Sequence, residues 1–143
     1  MIQRIQSIFL LLAAAALLGL FGLPFASTAE PVTASALFAD QTFNILDHTA
    51  LTVLFIIAAV VCLLSIFLFN NRKLQMRLSL LGIFGALAGL IVAGILYSQD
   101  AAGQTAQLGL GFGLPVVSVI LTLLAYRNIK KDDKLVKSMD RLR

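Results

Sequence analysis

The sequence has few of the residues that catalytic and metal sites usually require. Its 143 residues include one cysteine, one histidine and no tryptophan, and only 13% are charged. The single cysteine, Cys62, has no partner for an internal disulfide and is interpreted as a small apolar packing residue. The single histidine, His48, falls short of the three or four ligands of a zinc site and of the paired histidines of a haem bundle. We therefore predict no catalytic residues, no cofactor and no metal site, and we do not expect an enzyme.

Charge is missing from four long stretches of the chain. Soluble domains carry about 25% charged residues, and a helix that spans a bilayer needs about 20 mostly apolar residues. The uncharged stretches are Ile5–Ala29, Thr49–Asn71, Leu78–Gln99 and Ala101–Tyr126. We predict an all-α, polytopic membrane protein whose residues 1–128 form a four-helix transmembrane domain, with spans near 5–27, 49–70, 78–98 and 108–127.

Positive charge is absent from two of the predicted loops. All eleven basic residues lie before the first predicted span, between the second and third, or after the fourth. The other two loops, about 27–48 and 98–107, hold Glu30, Asp40, Asp47 and Asp100 but neither Lys nor Arg. Because Lys and Arg in short loops favour the cytoplasmic side, we predict that both termini are cytoplasmic.

The longer outer loop is not purely polar. Its apolar side chains, which we expect along the membrane interface, are Leu37, Phe38, Phe43, Ile45 and Leu46. Asp47 is placed to cap the second helix, because its carboxylate can accept from free backbone N–H groups.

The first apolar segment has two interpretations. Signal peptides have apolar cores of about 7–15 residues, whereas the apolar run from Ile8 to Ala26 is longer. Length therefore favours a helix that is retained in the mature protein. The alternative is a cleaved signal, since Ser27 and Ala29 are small residues that follow Pro24 and precede Glu30.

Small residues are spaced for close helix packing in the third and fourth predicted spans. In lipid, small residues let helix backbones approach each other. The candidate packing residues are Gly82, Gly85, Gly89 and Ala93 in the third span, and Gly109 and Gly113 in the fourth. We expect the third helix to pack on a neighbour. That neighbour is a helix of the same chain, which we favour, or a helix of another copy.

The tetrapeptide FGLP occurs twice, at 21–24 and 112–115. Pro24 and Pro115 are candidate kinks, because proline removes a backbone donor. Two broken helices at matching depth are a feature of transporter sites, but the repeat is short and its residues are abundant in this chain. The glycine-rich string before Pro115 is not a nucleotide motif, since no strand is expected to precede it.

Residues 129–143 form the one polar segment with a pattern. Leu135, Met139 and Leu142 are spaced as one face of a helix, so we predict a cytoplasmic, basic, amphipathic tail. The candidate contacts to anionic lipid are Lys130, Lys131, Lys134, Lys137, Arg141 and Arg143. A docking helix for a cytoplasmic protein is the alternative. No nucleic-acid partner is expected, because no nucleic-acid module surrounds these charges.

The two ends of the chain, MIQRIQSIFLLLAA and AYRNIKKDDKLVKSMDRLR, resemble a family of small four-helix membrane proteins from Bacteroidota that is catalogued as a domain of unknown function. The resemblance extends over essentially the whole chain. It implies four spans in the bacterial inner membrane, an uncleaved first helix, and no assigned activity.

Together these observations favour a non-enzymatic interaction, accessory or assembly subunit of a membrane complex. The alternative is a small oligomeric transporter or channel subunit. The expected partners are the lipid bilayer and other membrane subunits or further copies of the chain.

Overall fold

Four helices dominate the fold. The computed structural model describes residues 3–32, 35–103 and 105–140. The helices are α1 Gln3–Leu18, α2 Thr49–Phe67, α3 Arg72–Gln99 and α4 Gly113–Asp140. Within the described residues, three helical segments are long and apolar enough to cross a membrane: Thr49–Phe67, Arg72–Gln99 and Leu110–Met139. Ile5–Phe21 is a fourth apolar helical segment, but it is shorter.

The helices form a bundle in which chain neighbours are also spatial neighbours. α2 packs between α1 and α3, and α4 packs against α3 and α1. Residues 68–71 join α2 to α3 directly, and such a short connection makes neighbouring helices antiparallel. Gly19, just past the end of α1, lies beside Leu114 at the start of α4, so these two helices are antiparallel as well. α2 and α4 are therefore parallel and lie diagonally across the bundle.

The two ends of the bundle differ in character. At one end, which we call the basic end, lie residues 68–77 and 127–140. At the other end, the connections 19–48 and 100–112 fold together into a structure that we call the cap. Three strands of two residues each, β1 Ala26–Ser27, β2 Thr42–Phe43 and β3 Gln107–Leu108, form its sheet in the order β2-β1-β3. Both pairings are antiparallel, with Ala26 opposite Phe43 on one side and Leu108 on the other.

Aromatic rings fill the space between the cap and the bundle. Phe25 lies 5.4 Å from Phe43, 5.9 Å from Phe55 and 6.1 Å from Phe112, measured between ring centroids. Leu37, Phe38, Phe43 and Ile45 are buried in the same cluster or beside it, whereas Leu46 is exposed. The expectation that all five line the membrane interface is therefore wrong for four of them, because they pack into the hydrophobic cluster between the cap and the bundle.

The helix boundaries differ from the predicted spans at both ends of the chain. The first predicted span ends at residue 27, but α1 ends at Leu18 and passes through a 3-10 turn, Gly19–Phe21. Ala26 and Ser27 belong to the sheet instead. At the other end, α4 is continuous from Gly113 to Asp140, so no break separates the predicted domain 1–128 from its tail. No Gly or Pro interrupts the sequence after Pro115, which explains why the helix continues.

Candidate functional site

The glycine face of α3 packs against α2 of the same chain. A Cβ atom added at Gly82 would lie 2.9 Å from Cys62 Sγ, and one at Gly85 would lie 3.2 Å from the Cβ of Ala58. At Gly89 an added Cβ would lie 2.6 Å from Phe55 Cζ. Ala93 is buried on the same face. This face is therefore occupied within the chain and is not left open for a second copy.

Hydroxyl groups at mid-bundle are satisfied by their own helices. Thr122 Oγ1 donates to the carbonyl of Ser118 at 2.8 Å, and Ser65 Oγ donates to the carbonyl of Val61 at 2.9 Å. Cys62 Sγ lies 3.8 Å from Thr122 Oγ1. Such bonds leave no hydroxyl activated by a base. Among the described residues, no group of three or more His, Cys, Asp or Glu is placed to hold a metal ion.

The glycine-rich segment before α4 runs against the chain that follows α1. The N–H of Gly109 donates to the carbonyl of Phe25 at 2.8 Å, and the N–H of Gly111 donates to the carbonyl of Pro24 at 3.1 Å. A Cβ added at Gly109 would lie 2.6 Å from the Pro24 oxygen, and one at Gly111 would lie 2.4 Å from it. Only glycine allows this backbone approach.

Gly113 does not make the close helix-packing contact that was predicted for it. No atom outside its own helix turn and chain neighbours lies within 4 Å of the place that its Cβ would occupy. The close contacts thus fall at Gly109 and Gly111, two residues apart, as in an extended segment. The predicted four-residue spacing of Gly109 and Gly113 therefore does not match the positions of the close contacts.

Neither candidate kink interrupts a helix. Pro24 belongs to the cap, beyond the end of α1, and Pro115 is the third residue of α4. The first turn of a helix has free N–H groups, so a proline there removes no bond. The end of the first FGLP segment lies near the start of the second. The Pro24 carbonyl accepts from Gly111, the residue before the second segment, and the ring of Phe25, the residue after the first, meets that of Phe112 edge to face.

Two polar groups organise the entry to α2. His48 is its N-cap, with Nδ1 accepting from the Ala50 N–H at 3.3 Å. Asp47, which we expected in that role, instead closes a capping box with Asn44 around the short 3-10 helix Ile45–Asp47. Partial burial raises the pKa of the Asp47 carboxyl above its ordinary value, the Asn44 N–H lowers it, and the Asp40 charge raises it further.

The described basic residues of α4 lie on one broad face of the helix. Arg127, Lys130, Lys131, Lys134 and Lys137 are exposed, and Lys137 forms an ion pair with Asp133 on the preceding turn. Leu135 and Met139 are 52% and 65% exposed. Two of the candidate contacts, Arg141 and Arg143, lie outside the described residues, as does Leu142.

Three buried polar side chains at the basic end were missed in the sequence. Gln6 on α1, Gln75 on α3 and Asp132 on α4 are buried, and Asp132 is only 7% exposed. Gln75 Nε2 donates to the Ser65 carbonyl at 2.9 Å. In the described part of the chain, Gln6 Oε1, Gln75 Oε1 and Asp132 Oδ2 have no hydrogen-bond partner. The available signal was periodicity, since Asp132 continues the buried stripe of Ala125 and Ile129.

Comparison with known proteins identifies a family. No curated protein and no solved structure matches the chain. A family model described as a domain of unknown function, DUF4293, matches residues 2–142. The resemblance seen in the two ends of the sequence is thereby confirmed, and the chain belongs to the DUF4293 family.

Proposed function

We propose that this chain is an integral inner-membrane protein that serves as a non-enzymatic accessory or assembly subunit of a membrane complex. In this proposal all four helices cross the membrane, and the basic end lies in the cytoplasm. Support comes from the length and apolarity of three helices and from the large apolar side chains on the outward faces of the bundle, such as Phe84, which is 66% exposed. Charge supports the orientation, because every basic residue in the described part of the chain belongs to the basic end or to the N-terminal segment beside it.

The short first helix is compatible with a fourth crossing. Ile5–Phe21 corresponds to about 25 Å at 1.5 Å per residue, against a hydrocarbon core of about 30 Å. The cap begins where α1 ends, and its central strand is hydrogen-bonded on both edges. Non-helical backbone at membrane depth is tolerated when its polar groups are satisfied within protein. We propose that the cap covers the remaining distance.

One observation carries the accessory role: the packed face of α4 continues past the bundle without a partner. Ala125, Ile129 and Asp132 lie on this face and are buried. The next positions at helical spacing, Val136 and Met139, are exposed, with Leu135 beside them. We call these last three residues the apolar stripe. An apolar helix face of this kind is a common element of helix-in-groove recognition, so a second protein is the proposed cover.

Affinity purification in mild detergent tests this role. The native chain, a stripe variant (Leu135→Ser, Val136→Ser and Met139→Ser) and a control variant are purified from membranes, and bound proteins are quantified by mass spectrometry. The control, Leu46→Ser with Leu110→Ser, alters exposed apolar residues of the cap. We expect a stoichiometric partner with the native chain and the control, and its loss with the stripe variant. A native chain without any stoichiometric partner contradicts the proposal.

A transporter or channel subunit is the second candidate, and the unpartnered oxygens of Gln6, Gln75 and Asp132 favour it. Buried polar groups without partners are uncommon and are found at functional sites. This function predicts a homo-oligomer whose thermal stability rises with a specific ligand or ion, and it predicts that Asp132→Asn removes the rise. A monomer whose stability responds to no ligand contradicts it.

A further inference from the structure

The outward face of α4 changes from apolar to basic without a break in the helix. Val116, Ile120 and Leu123 are exposed, and the next residues at the same three- and four-residue spacing are Arg127, Lys130 and Lys134. Residues three and four apart lie on one helix face, so these six form a single line. The buried face, which includes Thr122, Ala125 and Ile129, lies opposite.

The basic part of this line carries concentrated, unneutralised positive charge. Arg127, Lys130, Lys131 and Lys134 line a surface groove of about 320 Å³ together with Tyr126. At 1.5 Å per residue, Arg127 and Lys134 are about 10 Å apart along the helix. Among the described residues none of these four cations forms an ion pair, since Asp133 pairs with Lys137 and Asp132 lies on the buried side of the helix.

The geometry points to a binding site for an anionic phospholipid that carries two phosphates. The phosphates would lie against Arg127, Lys130, Lys131 and Lys134, and the acyl chains would follow the apolar part of the same face. Four cations exceed what a single phosphodiester neutralises, which favours a headgroup of the diphosphate class over one with a single phosphate. Basic pockets at the cytoplasmic ends of membrane helices suit such headgroups.

The order of apolar and basic side chains along this face favours a lipid as the occupant. A ligand that lies on it contacts apolar side chains on one side of Arg127 and basic side chains on the other, and this is the polarity profile of a phospholipid at the bilayer surface. The inference rests on the proposed membrane crossing of α4 and not on the proposed protein partner. Leu135 of the apolar stripe lines a groove with Lys131 and Lys134, but the lipid test changes no stripe residue and the partner test changes no lysine. Failure of the proposed protein partner would therefore leave the proposed lipid site intact, and the reverse also holds.

Native mass spectrometry of the purified full chain in mild detergent tests the site. Tetraoleoyl cardiolipin, dioleoyl phosphatidylglycerol and dioleoyl phosphatidylcholine are titrated separately, with inorganic phosphate as a competitor. The site variant is Lys130→Gln with Lys131→Gln. The matched control is Lys73→Gln with Arg77→Gln, which also removes two exposed positive charges from the basic end but leaves the groove intact.

We expect the native chain to bind cardiolipin more tightly than phosphatidylglycerol, and phosphatidylcholine least of all. The site variant should bind cardiolipin about thirtyfold more weakly, the loss for two lysines near an anionic surface, and the control should stay within about threefold of the native chain. Equal losses in the two variants would mean diffuse charge attraction and would overturn the site. Equal binding of phosphatidylglycerol, or competition by inorganic phosphate at the lipid's own concentration, would overturn the diphosphate lipid as the ligand.

Discussion

The hydroxyl of Ser35 donates a hydrogen bond of 2.8 Å to the carboxylate of Asp100, and this bond joins the two connections of the cap across 65 residues of sequence. The same hydroxyl oxygen accepts from the N–H groups of Leu37 and Phe38 at 3.2 Å and 3.0 Å. Asp100 in turn accepts from the N–H of Ala102 at 2.9 Å. One serine thus connects the aromatic core of the cap to the end of α3.

Ser35→Ala should destabilise the cap. The change removes a bond to a carboxylate and leaves two buried N–H groups without their acceptor, for a loss of about 2 kcal/mol in the free energy of unfolding. Thr28→Val is the matched control, because the Thr28 hydroxyl bonds to the carbonyl of Glu30, two residues away, and this bond is exposed. We expect its effect to stay within about 0.5 kcal/mol. Unfolding followed in detergent compares the two, and equal losses would contradict the connecting role of Ser35.

Gly89→Ala should weaken the contact between α3 and α2. The new methyl group would overlap the ring of Phe55, which is buried against Phe25, and overpacking of this kind costs about 1–3 kcal/mol. Gly94→Ala is the control on the same helix, where no atom lies within 4 Å. It should be neutral or slightly stabilising, because alanine favours a helix over glycine. Phe55→Leu should restore part of the stability lost in Gly89→Ala, and a double-mutant cycle measures this coupling.

Gly111→Ala should strongly destabilise the contact between the segment before α4 and the chain that follows α1. Its methyl group would meet two backbone oxygens, 2.4 Å from that of Pro24 and 2.6 Å from that of Leu23. Backbone yields less than a side-chain end, so we expect a loss of at least about 3 kcal/mol. Gly113→Ala, two residues along, should change stability little. Thermal unfolding together with protease resistance of residues 19–48 distinguishes them, and a stable Gly111→Ala protein would contradict the close approach.

The packing of α1 in the bundle supports the prediction that the first helix is retained in the mature protein. Leu10, Ala13 and Leu17 of α1 are buried, and α1 contacts both α2 and α4. Removal of the segment would expose these contacts, so we expect α1 in the mature protein. Intact mass of the purified protein checks this, and a chain that begins near Glu30 would show that the segment is a cleaved signal.

The helices were easier to predict from the sequence than the cap. Uncharged runs locate α2 closely, since Thr49 begins both the predicted span and the helix, because a bilayer requires long apolar segments. The strands of the cap are two residues long, too short for an alternating pattern to be recognised. The pairing of Ala26 with Leu108 depends on tertiary contact between distant segments.

The candidate site was predicted in part, for similar reasons. The small residues of α3 were found from their helical spacing. Gly111 was overlooked because its close contact is to an extended segment, and Gly113 was included because it completes a helical spacing that is not used. Asp132 was assigned to a polar tail, since a run of charged neighbours hides a single buried position. Asp132 is buried because α4 is continuous with the bundle, which places it on the same face as Ala125 and Ile129.

The number and direction of membrane crossings are the central claim, and accessibility of single cysteines tests them most directly. In a Cys62→Ala background, cysteines are placed at exposed positions of the cap, Ala101 and Gln107, and of the basic end, Asn70 and Ser138, and one more is added before Met1. A membrane-impermeant maleimide is applied to spheroplasts and to inverted membrane vesicles. We predict labelling of the cap positions only in spheroplasts, and labelling of Asn70→Cys, Ser138→Cys and the added N-terminal cysteine only in inverted vesicles. Labelling of the N-terminal cysteine in spheroplasts would reduce the crossings to three, and labelling of Ser138→Cys there would contradict the proposed orientation.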